Sequence, residues 1–183
     1  MNTENDYFNA ALPMHDYIEQ MTVEVLKERT EKIYNAFEVP ADADLSGLKN
    51  KKILAITEDW CGDAMLNNPI MLKIAEAAGA EMRAAFRDAD TDLIDRHLTN
   101  GGRAIPIYLF LNEEGDLVGK WGPRAPELQQ FVTEGRAALP AKEDDGYAEA
   151  EKAFYASLQQ RYVDDSQTWE WVSNDIVKTI QAL

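Results

Sequence analysis

One cysteine, Cys61, is the only thiol in the 183-residue chain, and its position between two elements makes it a candidate for chemistry. The short, apolar, β-branched run over residues 52–57 predicts a buried strand, and apolar residues return at helical spacing after Cys61. Main-chain N–H groups and the dipole at a helix N-terminus stabilise an anion. We therefore expect the pKa of this thiol to be lowered and its thiolate to be reactive.

The alternative is a buried cysteine that serves as a small hydrophobic side chain, as many lone cysteines do. Trp60 and Gly62 on either side of Cys61, together with the junction between strand and helix, favour the reactive thiol.

The other chemistry-bearing residues are sparse. His15 and His97 have no sequence relation to the cysteine, which argues against a Cys–His nucleophile pair and a transition-metal site.

Aspartates recur at alternate positions from Asp88 to Asp92, as at the start of a calcium-binding loop. The Gly and Glu that such a loop needs further along are missing, so these acids are expected to cap the following helix. The sequence thus predicts no metal and no cofactor.

The elements before and after Cys61 alternate between strand and helix, which predicts an α/β fold with a central mixed sheet and helices on both faces. Strands are expected at residues 52–57, 81–86, 105–111 and 117–121. Helices are expected at residues 12–37 (one helix or two), 61–78, 93–98, 125–139, 147–162 and 168–183.

The pattern divides the chain into three parts. Residues 48–140 form the predicted α/β core. Residues 1–47 are a helical extension expected to pack on it, and residues 141–183 are a second helical extension after the polar, acidic break at residues 140–146. The large rings in this second extension are expected to pack against the core, with a groove for a partner as the alternative.

Two short motifs carry a resemblance to a known family. The first is Trp60-Cys61-Gly62, and the second is Ile105-Pro106 some 45 residues later. Together they resemble the thioredoxin family over residues 48–139, and the Gly-Asp after the cysteine is similar to a bacterial subgroup of thioredoxin-like proteins.

The resemblance implies a thioredoxin-like fold in which Cys61 is the nucleophile and Trp60 flanks it. It implies that Pro106 follows a cis peptide bond and that Ile105, just before it, binds a substrate chain in extended form. Gly62 and Asp63 complete the motif at the start of the helix.

Two departures from the family pattern change the chemistry that the resemblance implies. Ala64 stands where thioredoxins carry their second cysteine, and the apolar run Leu54 to Ile56 stands where they carry a buried acid. Without a second thiol, a mixed disulfide cannot be resolved within the chain. The expected activity is therefore a monothiol thiol–disulfide oxidoreductase acting on protein or small-molecule thiols and disulfides. A non-catalytic binding module and a redox sensor are the alternatives that the sequence leaves open.

The formal net charge of −15 argues against nucleic acid and anionic membranes as partners, because both attract basic proteins. The N-terminus lacks the basic and apolar regions of a secretory signal, and no apolar run is long enough to span a bilayer. With one cysteine and no signal, we expect a reducing, cytoplasmic location.

Arg103 and Arg124 flank loops near the predicted site, where we expect surface acids to pair with them; binding a substrate carboxylate is the alternative. The sequence does not indicate which oligomeric state the protein adopts.

Overall fold

A computed structural model describes all 183 residues as a five-stranded mixed sheet with α-helices on both faces. The strands are β1 (Leu12–Pro13), β2 (Lys52–Thr57), β3 (Glu81–Phe86), β4 (Ile107–Leu111) and β5 (Leu117–Trp121). The helices are α1 (Glu4–Ala10), α2 (Met14–Glu19), α3 (Glu24–Ala36), α4 (Gly62–Ala78), α5 (Thr91–Asp95), α6 (Pro126–Ala137), α7 (Tyr147–Asp164) and α8 (Ser166–Gln181), and a 3₁₀ turn covers Ser46–Leu48. None of these helices has the length and apolar character needed to cross a membrane.

The sheet has the strand order β1-β3-β2-β4-β5. Strands β2 and β3 are parallel and are joined through α4, whereas every other neighbouring pair is antiparallel. The central strands β2 and β4 are buried on both faces, which explains their continuous apolar sequences. The predicted α/β architecture, a central mixed sheet flanked by helices, is confirmed.

Alternate residues of β2 point into two different clusters, as the period of a strand requires. Ile53 and Ala55 belong to the larger cluster, which α4 covers. Leu54 and Ile56 belong to the smaller cluster on the opposite face, together with Phe8 of α1 and residues of α5. This two-sided burial fixes the C-terminal end of β2, where the cysteine segment begins.

Both terminal segments contribute to the larger cluster. In α3, Ile33 is fully buried, and in α8 the same is true of Val172, Ile176 and Ile180. The indole N–H of Trp121, at the end of β5, donates to Asp175 Oδ2 of α8 at 2.7 Å. The residues outside the sheet therefore share one core with it.

The N-terminal segment differs from the predicted helix over residues 12–37. Leu12 and Pro13 instead form β1 at the sheet edge, antiparallel to β3, and residues 20–23 separate α2 from α3. An edge position suits Pro13, which has no N–H to donate. Helix α1 was not predicted, although Thr3 and Asp6 form a capping box at its start.

Several other boundaries differ from the predicted ones by one to three residues. Helix α5 begins earlier than residue 93 because the Asp90 side chain accepts from the Asp92 N–H, as expected of these acids. Strand β4 begins at Ile107 rather than at residue 105.

Candidate functional site

Cys61 caps the N-terminus of α4, where the chain leaves β2 through a short turn. Its N–H donates to the Glu58 carbonyl at 3.3 Å, and its own carbonyl accepts from the Met65 N–H at 3.0 Å. Its thiol donates to the main-chain carbonyl oxygen of Ile105 at 3.6 Å. The peptide bond between Ile105 and Pro106 is cis. The fold thus brings both predicted motifs together at one end of the sheet.

The expectation of a lowered pKa at Cys61 is wrong. Burial of the thiol first, and the carboxylate of Asp63 second, raise its pKa to about 11. The N–H groups of Ala64 and Asp63 and the cation of Arg124 lower it, but only in part. The helix N-terminus is present, yet burial of the sulfur and a like charge two residues away outweigh it.

Asp63 is held by two residues from distant parts of the chain. Arg124 forms an ion pair with it, with 2.7 Å between Nη2 and Oδ2 and a hydrogen bond of 3.0 Å from Nε to Oδ1. The hydroxyl of Tyr162, from α7, donates to Asp63 Oδ1 at 2.7 Å. Because the Arg124 and Asp63 side chains are only 15% and 13% exposed, this is a buried pair rather than the surface pair expected for Arg124.

The other two acids of the segment are held by neutral donors. Both the N–H and the hydroxyl of Thr22 donate to Asp59 Oδ2 at 2.7 Å, which ties the α2–α3 connection to the turn. Burial raises the pKa of Asp59, but these hydrogen bonds more than offset it, so the pKa lies below its ordinary value. Glu58 is buried and accepts from the Asp88 N–H at 2.8 Å; burial raises its pKa.

Trp60 is the exposed aromatic residue of the site, with half of its surface in solvent. The guanidinium of Arg87 lies 4.9 Å from the centroid of its ring. Arg87 also pairs with Asp88 at 2.7 Å and donates to the Arg103 carbonyl oxygen. The indole is therefore supported on one side and open on the other.

A buried polar network adjoins the end of β2. The Tyr108 hydroxyl donates to Asn68 Oδ1 at 2.6 Å, and Asn68 Nδ2 donates to the Thr57 hydroxyl at 3.1 Å. The Tyr17 hydroxyl is buried without a hydrogen-bond partner of good geometry. Burial raises the pKa of Tyr17, and the nearby charges of Asp59, Glu58 and Cys61 add to this effect.

The start of α4 is closely covered by α7. A β-carbon on Gly62 would lie 3.1 Å from Gln159 Nε2, and a small cavity of about 130 Å³ opens between Gly62, Arg124 and the same helix. Ala64 is buried, so the position of the second family cysteine faces the interior.

The histidines lie in contacts elsewhere. His15 pairs with Glu76 and His97 with Glu4. Arg103 pairs with Asp95 at the surface, as expected.

The sequence profile of thioredoxin matches residues 11–138, which is most of the chain. The chain belongs to the thioredoxin family. The match begins inside the predicted N-terminal extension. Helices α2 and α3 of this thioredoxin-family chain are therefore part of the matched region. None of the curated proteins matches it at a significant level.

Two solved structures are similar to this family member over their whole length. A crystal structure of a protein of unknown function from Pseudomonas aeruginosa has a TM-score of 0.65 at 16% identity, with 100% of this chain and 99% of that chain covered. A crystal structure of an HIV epitope scaffold has a TM-score of 0.64 at 16% identity and the same coverage. At this identity the likeness concerns the fold, including both terminal segments.

The sequence did not indicate the residues from distant parts of the chain that contact the acids and the glycine around Cys61. Tyr162 is one of the large rings expected to pack against the core or to line a groove for a partner, and the sequence pattern singles out neither Thr22 nor Gln159. The contact of Tyr162 with Asp63 joins residues 99 positions apart, and no local pattern records it. The sequence did contain one signal, since an acid two residues after the cysteine opposes the effect of the helix N-terminus.

Proposed function

We propose that this protein is a monothiol thiol–disulfide exchange protein whose nucleophile is Cys61. Membership of the thioredoxin family supports a redox role in general. The monothiol form of that role follows from the sequence, which has one cysteine and Ala64 in the position of the second.

The observation that carries the proposal is the approach of the Cys61 thiol to the carbonyl oxygen of Ile105, at 3.6 Å. This carbonyl oxygen, just before the cis peptide bond to Pro106, lies beside the sulfur, so a substrate chain that paired with the main chain of Ile105 would bring its disulfide to the thiol. Trp60, which is half exposed, would cover one side of that disulfide.

The reaction that we propose has two exchange steps. The Cys61 thiolate attacks one sulfur of a mixed disulfide, forms a new S–S bond with it and releases the other half as a thiolate. An external thiol then attacks this new bond, leaves with the bound half as a disulfide and restores Cys61. One external thiol is consumed and one thiol is released, while the number of S–S bonds stays the same, so no other oxidant or reductant is needed.

The raised pKa of Cys61 makes the protonated thiol the resting form. At neutral pH the thiolate is scarce, so we expect slow exchange unless bound substrate changes the surroundings of the sulfur. The S–H···O contact with Ile105 is part of those surroundings, because a substrate chain would compete for the same carbonyl oxygen.

The same raised pKa counts against turnover and favours a second candidate, in which Cys61 does not react; it gives no such support to a third, a redox sensor, which also needs the thiolate. A redox sensor would stop at the mixed disulfide, and a non-catalytic binding module would bind a partner at the Ile105–Pro106 edge without reacting. Both candidates use the same surface and differ from the oxidoreductase in the number of turnovers.

The deciding experiment follows the release of a chromophoric thiol from its mixed disulfide with a carrier protein, with excess 2-mercaptoethanol present. The monothiol oxidoreductase releases many equivalents per protein molecule above the background rate. Release of one equivalent identifies the sensor, and no release identifies the binding module.

Cys61→Ser is the matched variant, because it keeps the size and a hydrogen-bond donor to Ile105 but removes the nucleophile. It should fold as the natural chain does and show only background release. Turnover retained by this variant would overturn the assignment of the nucleophile.

A further inference from the structure

We propose that the disulfide substrates of Cys61 carry positive charge beside their S–S bond. This inference rests on the proposed exchange activity and adds the chemical class of its substrate. It follows from how the charged side chains around the thiol are paired.

Three of the arginines that surround the motif are already bound to carboxylates, and a fourth is bound to an amide. Arg87 pairs with Asp88 at 2.7 Å, Arg103 with Asp95 at 2.6 Å, and Arg124 with Asp63 at 2.7 Å. Arg29 lies behind the side chain of Gln159, to which it donates at 2.9 Å. A substrate carboxylate would therefore have to displace an existing partner to gain a cation.

The carboxylates of the motif are less fully compensated. Glu58, Asp59 and Asp63 lie within six residues of one another, and only Asp63 forms an ion pair. Asp59 is held by the neutral donors of Thr22, and Glu58 by the N–H of Asp88. The cation of Arg87 compensates Glu58 in part. Their unbalanced negative charge favours a cationic substrate and opposes an anionic one.

The aromatic residue of the site has the same preference. The face of an indole ring attracts cations, and Trp60 already has the guanidinium of Arg87 at 4.9 Å from its ring. The exposed part of the ring can accept an ammonium or guanidinium group of a substrate in the same way.

The net charge of the whole protein also favours cationic substrates, and it does so at longer range. A net charge of −15 raises the local concentration of cations and lowers that of anions around the surface. This part of the effect depends on ionic strength, since the Debye length falls from about 30 Å at 0.01 M salt to about 3 Å at 1 M.

The test compares three small disulfides that differ in charge: cystamine, which is cationic, bis(2-hydroxyethyl) disulfide, which is neutral, and 3,3′-dithiodipropionate, which is anionic. The second-order rate constant of Cys61 with each is measured at fixed pH and 0.01 M salt by mass spectrometry of the mixed disulfide. Each constant is divided by that of 1-thioglycerol, a neutral thiol, with the same disulfide, which removes differences in intrinsic reactivity.

We expect the normalised rate for cystamine to exceed that for dithiodipropionate by about tenfold or more, and the ratio to fall towards one at 1 M salt. Equal rates, or a faster anionic disulfide, would overturn this inference and leave the exchange activity standing. No reaction with any of the three disulfides would instead overturn the proposed function.

Two variants with the same net charge separate the local effect from the global one. Asp59→Asn removes a carboxylate next to Trp60, and Glu113→Gln removes an exposed one in the β4–β5 turn, at the opposite end of β4 from the thiol. We expect Asp59→Asn to lower the cystamine preference by about two- to fivefold and Glu113→Gln to leave it unchanged. An equal effect of both variants would show that the site itself does not select charge.

Discussion

The thiol of Cys61 and the main-chain carbonyl of Ile105 form a hydrogen-bonded pair, 3.6 Å apart, that joins the start of α4 to the loop before β4. The pair keeps the proton on the sulfur in a setting where burial already disfavours the thiolate. The site is therefore a partly buried, protonated thiol with an exposed indole beside it. This combination governs the reactivity that the protein should show.

The first prediction concerns the pH dependence of Cys61 alkylation. Because the pKa is raised to about 11, the thiolate fraction at pH 7 is about one in ten thousand. The alkylation rate with iodoacetamide should rise about tenfold per pH unit from pH 7 to pH 10 and show no plateau in that range. An unperturbed thiol, with a pKa of about 8.5, would level off above about pH 9.5 and serves as the reference. A plateau below pH 9 would contradict the raised pKa.

The second prediction concerns the carboxylate that shares the site with the thiol. Asp63→Asn removes a negative charge that raises the pKa of Cys61 and leaves the cation of Arg124 in place. The midpoint of the alkylation profile should move down by about one pH unit or more. The variant should also lose about 3 kcal/mol of unfolding free energy, since the ion pair is buried and Asn keeps only the acceptor oxygen.

Asp95→Asn is the control for this change. Asp95 pairs with Arg103 at similar distance, but both side chains are nearly half exposed. Its loss should cost less than about 1 kcal/mol and leave the alkylation profile in place. Equal losses of stability in the two variants, measured by urea denaturation, would contradict the distinction between buried and exposed pairs.

The sequence alone was enough to predict the strands and helices whose apolar pattern lies within one continuous segment. The run from Lys52 to Thr57 is apolar because β2 is buried on both faces, and the helical period after Cys61 reflects the burial of α4. The same local signals gave the position of the thiol at the strand–helix junction. These features depend on residues within one element, so their pattern is visible in the chain.

The charge state of the site depends on contacts that the sequence does not record. Tyr162 reaches Asp63 from 99 residues away, and Thr22 reaches Asp59 from 37 residues away. The burial of the sulfur depends on how the elements pack around it, and this burial reverses the expected direction of its pKa shift. The helix N-terminus was recognised correctly, but its effect is smaller than that of desolvation.

The third prediction compares two tyrosines that are equally buried. Tyr108→Phe leaves Asn68 Oδ1 without its donor, whereas Tyr17→Phe removes a hydroxyl that has no partner of good geometry. Tyr108→Phe should cost about 1–3 kcal/mol of unfolding free energy, and Tyr17→Phe should be neutral or stabilising. Chemical denaturation of both variants measures the difference. A larger cost for Tyr17→Phe would mean that its hydroxyl is hydrogen-bonded.

The fourth prediction tests how tightly α8 packs on the 3₁₀ turn before β2. A β-carbon on Gly47 would lie 1.8 Å from the carbonyl oxygen of Ile180, so the turn or the helix must move to admit Ala. Gly47→Ala should cost about 1–3 kcal/mol of unfolding free energy. Gly146→Ala, where nothing lies within 4 Å of the added carbon, should change it by less than about 1 kcal/mol. Similar values for the two variants would argue against close packing of α8 at Gly47.

The fifth prediction concerns the position of the missing second thiol. Ala64 lies one turn after Cys61 on α4 and is buried, so a cysteine there is within reach of the nucleophile but sheltered from solvent. Ala64→Cys should form an internal disulfide under mild oxidation, which lowers the mass by two hydrogens and blocks alkylation of Cys61. Resolution of a mixed disulfide should then need no external thiol, because the second sulfur attacks it within the chain.

Ala75→Cys provides the matched control, since Ala75 is equally buried on the same helix but lies about four turns from Cys61. This variant should keep two free thiols under the same oxidation and should depend on external thiol, as the proposed function requires of the natural chain. If Ala64→Cys also kept two free thiols, residue 64 would not face Cys61 as the family motif requires. If it oxidised but still needed external thiol, the mixed disulfide would be held out of reach of the second sulfur, which would favour the sensor over the oxidoreductase.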